Sequence, residues 1–124
     1  MKIIALIVSG GEGKRFDSKL PKQFFEINNE TILERSVRIF HETNFFNEIF
    51  VVSNSKFSSL SRNILKKYKI KLVNGGKTRQ ESVKNGLDQI KKYKIDKVII
   101  HDAVRPFFSK DLLRNVLANL KKFE

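Results

Sequence analysis

Cysteine is missing from the 124 residues. Its absence excludes disulfides, a thiol nucleophile and thiolate metal sites, and it fits a reducing compartment. Long apolar runs are missing too. The longest, from Ile3 to Val8, ends at a glycine loop, far short of the roughly 20 residues a spanning helix needs. It has no cleavage region of the kind a secretory signal carries. The expectation is a cytoplasmic protein with no membrane partner. Acidic residues are scarce, at 13 against 25 lysines and arginines, which leaves a net charge of +12. Such a surplus invites a nucleic-acid reading. The lysines are scattered, however, and fall mostly on expected helix faces or their ends, as at Lys66, Lys67, Lys84, Lys91, Lys92 and Lys121. No interleaved aromatic and basic module for RNA is present. Solvated lysine faces explain the charge, and a phosphorylated substrate would also favour a positive mouth. No nucleic-acid partner is expected. The rival from another class is a basic, non-catalytic RNA-binding domain, whose affinity would fall steeply with salt.

Hydrophobic residues make up 40% of the chain, enough for one domain (1–124) with a core. No internal repeat, linker or low-complexity segment breaks it. Ile3–Val8 reads as a buried parallel strand, being a short continuous apolar run closed by glycine. Thr31-Ile32-Leu33-Glu34 is a capping box that opens a helix with Ile32, Leu33, Val37 and Phe40 on one side. Glu48–Ser53 is a second strand. Helical spacing of Leu60, Ile64, Leu65 and Tyr68 predicts a helix over 57–69, and Ile70–Val73 a short third strand. Thr78-Arg79-Gln80-Glu81 is a second capping box, opening a helix with Val83, Leu87 and Ile90 inward. Lys97–His101 is a fourth strand, and Ser109 caps a last helix through Leu112, Leu113, Val116, Leu117 and Leu120. Alternation of strands and helices with long crossovers predicts an α/β fold with a doubly wound, mostly parallel sheet. Ligands bind such sheets at the carboxyl ends of the strands.

Three strand ends carry unusual chemistry. The first is Gly10-Gly11-Glu12-Gly13-Lys14-Arg15, closed by Pro21-Lys22. Glycines let backbone N–H groups approach an anion closely, while Arg15 adds a fork of donors and Lys22 a point charge. An ordinary glycine turn with two solvated cations is the bland alternative. The loop is a poor Walker A motif, because Gly13-Lys14 is followed by Arg15 rather than Ser or Thr. It is a poor dinucleotide fingerprint, because Phe16 stands at the third glycine position. The second strand end, Asn74-Gly75-Gly76-Lys77-Thr78-Arg79-Gln80-Glu81-Ser82, joins a glycine turn to a helix N-terminus, where free N–H groups favour anions or base carbonyls. The capping box alone would also explain it. The third is His101-Asp102-Ala103-Val104-Arg105-Pro106. A strand-end aspartate can hold a divalent cation that bridges phosphates, or form a salt bridge to Arg105. His101 is assigned no chemistry, since a histidine there is more often packed.

Gly-Gly-x-Gly-x-Arg followed by Pro-Lys resembles the opening signature of the sugar-phosphate nucleotidyltransferases. With Pro21-Lys22-Gln23-Phe24, Gly75-Gly76-x-x-Arg79-x-x-Ser82-Val83 and His101-Asp102-Ala103-x-Arg105-Pro106, the whole chain resembles the 2-C-methyl-D-erythritol 4-phosphate cytidylyltransferase family, its motifs in the right order. The resemblance implies a Rossmann-like nucleotidyltransferase fold and transfer of a cytidylyl group from CTP to a polyol phosphate. It implies catalytic roles for Arg15 and Lys22, and nucleotide contacts from Ser9, Gly10, Gly11, Gly13, Gly76, Lys77, Ser82 and Ala103. It implies Mg²⁺ on Asp102. Ribitol 5-phosphate cytidylyltransferases share Pro-Lys-Gln-Phe and His-Asp-Ala-Val-Arg-Pro-Phe, and remain the alternative for the acceptor. The chain departs from the family at Val8-Ser9-Gly10-Gly11, where Pro-Ala-Ala-Gly is common. It is also about half the length of the family's catalytic domain. The expectation is an N-terminal, nucleotide-binding portion, truncated before the second metal carboxylate, the sugar-phosphate grip and the arm that makes the full-length enzyme a homodimer.

Overall fold

The computed structural model describes residues 2–9, 20–104 and 109–122. Its centre is β1 (Ile3–Ser9), buried at every position. An unbroken apolar run suits a strand covered on both faces, and its side chains divide accordingly. Ala5 and Ile7 join one core cluster, while Ile4, Leu6 and Val8 join the other.

A short antiparallel hairpin, β2 (Glu26–Ile27) with β3 (Glu30–Thr31), follows. It was not expected. Asn28 and Asn29 turn it with φ of 54° and 66°, the left-handed conformation that asparagine tolerates better than most residues. Helix α1 (Ile32–Glu42) starts at the expected cap, with the Thr31 hydroxyl accepting the Glu34 N–H at 3.0 Å. Strand β4 (Glu48–Ser53) lies where the sequence places it.

The helix expected over 57–69 is shorter. A 3-10 turn at Ser55–Phe57 leads into α2 (Ser58–Ile64), which then stops. Leu65 is buried, and the Tyr68 hydroxyl donates to Glu34 at 3.2 Å while its ring meets His41 edge-on. Those contacts draw the segment onto α1 through a turn, so tertiary packing overrides the helical spacing. Strand β5 (Lys71–Asn74), helix α3 (Arg79–Ile90), strand β6 (Lys97–Asp102) and helix α4 (Lys110–Lys122) complete the chain. The Ser109 hydroxyl caps α4 by accepting the Leu112 N–H at 3.1 Å. Leu113 and Leu117 are buried, whereas Leu112 is half exposed.

The four-stranded sheet runs β5-β4-β1-β6 and is parallel throughout. Residues of α1 and α4 pack on one face, and Ile90, Val83 and Leu87 of α3 on the other. The doubly wound expectation therefore holds. Connections leave β1 toward β4 and β5, then return past it to β6. The chain thus reverses direction at β1, and the crevice at such a switch point is where these sheets bind ligands. Among the described residues, no helix is long and apolar enough to cross a membrane.

Candidate active site

Register fixes which residues share the carboxyl edge of the sheet. Ser9 pairs with Ser53, Ser53 with Asn74, and Val8 with Asp102. Hydrogen bonds continue past the strands, from Gly75 N–H to the Ser53 carbonyl at 2.8 Å and from Ala103 N–H to the Val8 carbonyl at 3.0 Å. The strand ends that lead into the three motifs, at Ser9, Asn74 and Asp102, are thereby gathered on one edge. Gly10, Gly11, Gly13 and Arg15 lie outside the described residues.

Lys22 opens a 3-10 turn (Lys22–Phe24) and is exposed. Its neighbours hold it. Pro21 sits at the cap with φ of −59°, and its carbonyl accepts the Phe24 N–H at 3.0 Å. Phe24 is buried against the Phe57 ring, with centroids 5.5 Å apart. Gln23 is buried and donates from Nε2 to the Ser9 carbonyl at 3.0 Å. That bond ties the Pro-Lys turn to the point where β1 enters the glycine loop. The Ser9 hydroxyl is itself buried, with no hydrogen-bond partner among the described residues.

In the second loop Ser82 is buried, and its hydroxyl accepts the Gly76 N–H at 3.1 Å. A Cβ on Gly75 would come within 2.8 Å of that hydroxyl, so the close approach requires glycine. The Lys77 N–H is held by the Glu81 carboxylate at 2.8 Å, and Thr78 caps α3 by accepting the Glu81 N–H at 3.1 Å. The loop is thus held from inside by Ser82 and Glu81, while the Lys77 side chain faces solvent.

In the third loop Ala103 is fully buried, and its carbonyl accepts the Ser36 hydroxyl of α1 at 2.9 Å. His101 is buried with its ring 5.3 Å from that of Phe40, a packed residue as expected. Asp102 remains at the mouth, its side chain 24% exposed. There it accepts Arg79 Nε at 3.0 Å and Nη2 at 3.4 Å. The salt bridge to Arg105, the alternative to a metal role, lies outside the described residues. Gln23, Ser36 and the Arg79–Asp102 pair had no role in the sequence reading. Gln23 and Arg79 stand inside the quoted motifs, whereas nothing marks Ser36.

Among the described residues no three His, Cys, Asp or Glu side chains gather as a metal site. Mg²⁺ is commonly held by one or two carboxylates together with substrate phosphates. Asp102, a carboxylate at the end of β6, fits that donor set as a single protein ligand.

The family model described as IspD, 2-C-methyl-D-erythritol 4-phosphate cytidylyltransferase, matches residues 3–124. The chain is 43% identical to the 2-C-methyl-D-erythritol 4-phosphate cytidylyltransferase of Thermosipho melanesiensis, covering 91% of this chain and 52% of that protein. It is 42% identical to the enzyme of that name from Wigglesworthia glossinidia brevipalpis, covering 94% and 50%. The crystal structure of 4-diphosphocytidyl-2C-methyl-D-erythritol synthase from Anaerococcus prevotii superposes with a TM-score of 0.77 at 27% identity, covering 98% of this chain and 51% of that one. The chain therefore spans about half the length of the curated relatives it matches. On the strength of the motifs, the sheet order and this match along nearly the whole sequence, the chain belongs to the 2-C-methyl-D-erythritol 4-phosphate cytidylyltransferase family.

Proposed function

We propose that this chain forms the CTP-binding part of an enzyme that joins CTP to 2-C-methyl-D-erythritol 4-phosphate, giving the CDP-alcohol and pyrophosphate. One observation carries the reading: the family match runs through all three motifs, and the strands that lead into them end on one edge of the parallel sheet. The acceptor phosphate is ionised at neutral pH, so no strong general base is needed, and catalysis is positioning with charge stabilisation. An acceptor phosphate oxygen attacks the α-phosphorus in line as pyrophosphate leaves. Lys22, in a turn anchored by Gln23 and Phe24, offers an ammonium to the charge that grows on the triphosphate. Arg15 and the N–H groups of Gly10, Gly11 and Gly13 belong to the same phosphate site, with Ser9 at its entrance. Gly76, Lys77, Ser82 and Ala103 shape the nucleoside side, Ser82 by holding the loop and Ala103 by anchoring the strand end. Mg²⁺ on Asp102 would supply positive charge to the phosphates. The proposal extends to a cytoplasmic homodimer as the form of the longer enzyme, with no nucleic-acid partner.

Calorimetric titration with CTP, UTP, ATP and GTP, with and without Mg²⁺, tests this. The expected result is selective binding of CTP that strengthens with Mg²⁺. Indifference to the base, together with RNA binding that falls steeply with salt, would replace it with the RNA-binding alternative.

A further inference from the structure

The pairing of Arg79 with Asp102 joins two loops that are 23 residues apart in sequence. Arg79 is the first residue of α3, and Asp102 is the last of β6. Both carboxylate oxygens are engaged, Oδ1 by Nε at 3.0 Å and Oδ2 by Nη2 at 3.4 Å. A guanidinium fork matches a carboxylate in this way, and it matches a phosphate equally well. The Arg79 side chain is 59% exposed, so little packing holds it to one partner. Asp102 is the carboxylate that would serve a divalent cation.

We propose that Arg79 is an exchangeable latch on Asp102, holding the carboxylate until a triphosphate draws the guanidinium away and a divalent cation takes its place. The inference rests on the nucleotide-transfer reading above. A cation at Asp102 would crowd the guanidinium on the same two oxygens, and the two positive groups repel, so they compete for the carboxylate. A triphosphate relieves the competition by giving the guanidinium another anion. Nucleotide and metal therefore strengthen each other's binding, and by linkage the strengthening is reciprocal. Arg79 is accordingly a positioning residue, and its effect is read in metal affinity.

The experiment is Mn²⁺ binding to the chain, followed by the electron paramagnetic resonance of free Mn²⁺, for the parent, Arg79→Gln, Arg79→Lys and Arg79→Gln/Asp102→Asn. Without nucleotide, Arg79→Gln is expected to bind Mn²⁺ about fivefold more tightly, the upper end for releasing a partly exposed ion pair. The gain should vanish in the double variant. Arg79→Lys, which keeps the charge, should stay near the parent. With CTP present, the affinity of the parent should rise toward that of Arg79→Gln. The latch is overturned if Arg79→Gln binds Mn²⁺ no more tightly than the parent, or if its gain survives loss of Asp102. Circular dichroism of each variant separates these outcomes from unfolding. CTP selectivity, measured on the parent alone, judges the nucleotide-transfer reading. A parent that selects CTP while Arg79→Gln gains nothing loses only the latch.

Discussion

Gly86 sits in the middle of α3, on the face that packs against the sheet. A methyl group there would lie 2.6 Å and 3.0 Å from the two Leu6 Cδ atoms and 3.0 Å from Val52 Cγ2. Leu6 and Val52 are fully buried in the central strands, so neither side chain can swing into open space. Overfilling a close-packed site costs about 1–3 kcal/mol. Two crowded partners in the centre of a sheet place Gly86→Ala in the upper part of that range. Against this, alanine is about 1 kcal/mol better than glycine inside a helix. The net expectation is a destabilisation of about 1–2 kcal/mol. An unfolding entropy of about 2.1 cal/mol/K per residue turns this, over 124 residues, into a fall in Tm of about 4–8 °C. The assay is thermal unfolding of the parent, Gly86→Ala, Leu6→Val and the double variant. Shortening Leu6 makes room, so Gly86→Ala should cost much less in that background, and the pair should couple by about 1 kcal/mol. A rise in Tm for Gly86→Ala alone, of the size helix propensity supplies, would refute the reasoning. It would mean that α3 can lift from the sheet without cost. The point bears on the site because α3 carries Arg79 and the loop held by Ser82.

Lys22→Ala, in a longer enzyme that carries this segment and consumes CTP, should lower kcat by ~100-fold, the scale for losing one positioned transition-state donor; near-normal turnover would remove Lys22 from the chemistry. Gln23→Leu keeps the volume but takes the donor from the buried Ser9 carbonyl, and should cost about 1–3 kcal/mol in chemical denaturation. An unchanged midpoint would show that the carbonyl finds another donor. Glu42 is held below the usual carboxylate range by its hydrogen bond from Arg38 and then by Lys110. A lowered folded-state value means stability that is present above the unfolded pKa, about 4.3, and is lost as pH falls through the folded value. Glu42→Gln should therefore lower stability at pH 7 by the small amount exposed pairs give, about 0.5–1 kcal/mol, read as a lower Tm, and the gap from the parent should narrow as pH falls below about 4. A gap that does not narrow in acid would assign the effect to packing.

Much of this molecule is legible in its sequence, for physical reasons that vary along the chain. β1 is legible because a strand covered on both faces cannot alternate polar and apolar residues, so Ile3 to Val8 stand out. Helices α1 and α3 are legible at their starts because Thr31 and Thr78 must satisfy N–H groups that the helix leaves free. The end of α2 is not legible. Leu65 and Tyr68 keep helical spacing, and only their contacts with α1 draw the chain off the helix. The β2–β3 hairpin is marked by Asn28-Asn29 alone, a signal that also fits an ordinary loop. At the site, residue types named the three loops, but the bonds that hold them came from elsewhere. Ser36 reaches Ala103 across 67 residues of sequence, and no local pattern encodes a hydrogen bond between a helix interior and a strand end. Arg79 had an obvious local role at a helix start, which hid its reach to Asp102.

The positive charge admits a sharper argument in three dimensions than in one. Several lysines that made the chain look like a nucleic-acid binder are matched locally. Lys84 and Lys91 both reach Asp88, Lys67 reaches Glu34, Lys71 approaches Glu48, and Lys110 reaches Glu42. These pairs are spread over α1, α3, α4 and the edge strand β5 rather than lining one groove. Binding single-stranded RNA also needs aromatic faces open for base stacking. Tyr93 is an exposed tyrosine at the end of α3, but Lys71 Nζ stands 4.3 Å and Lys2 Nζ 5.3 Å from the centre of its ring. The Tyr93 hydroxyl is bound by Lys71 at 2.6 Å, and its ring meets Phe50 edge-on. A base stacking on Tyr93 would have to displace these ammonium groups. The lysines around it therefore act on the fold's own aromatic edge, while Lys22 and Lys77 stand exposed in segments next to the carboxyl end of the sheet.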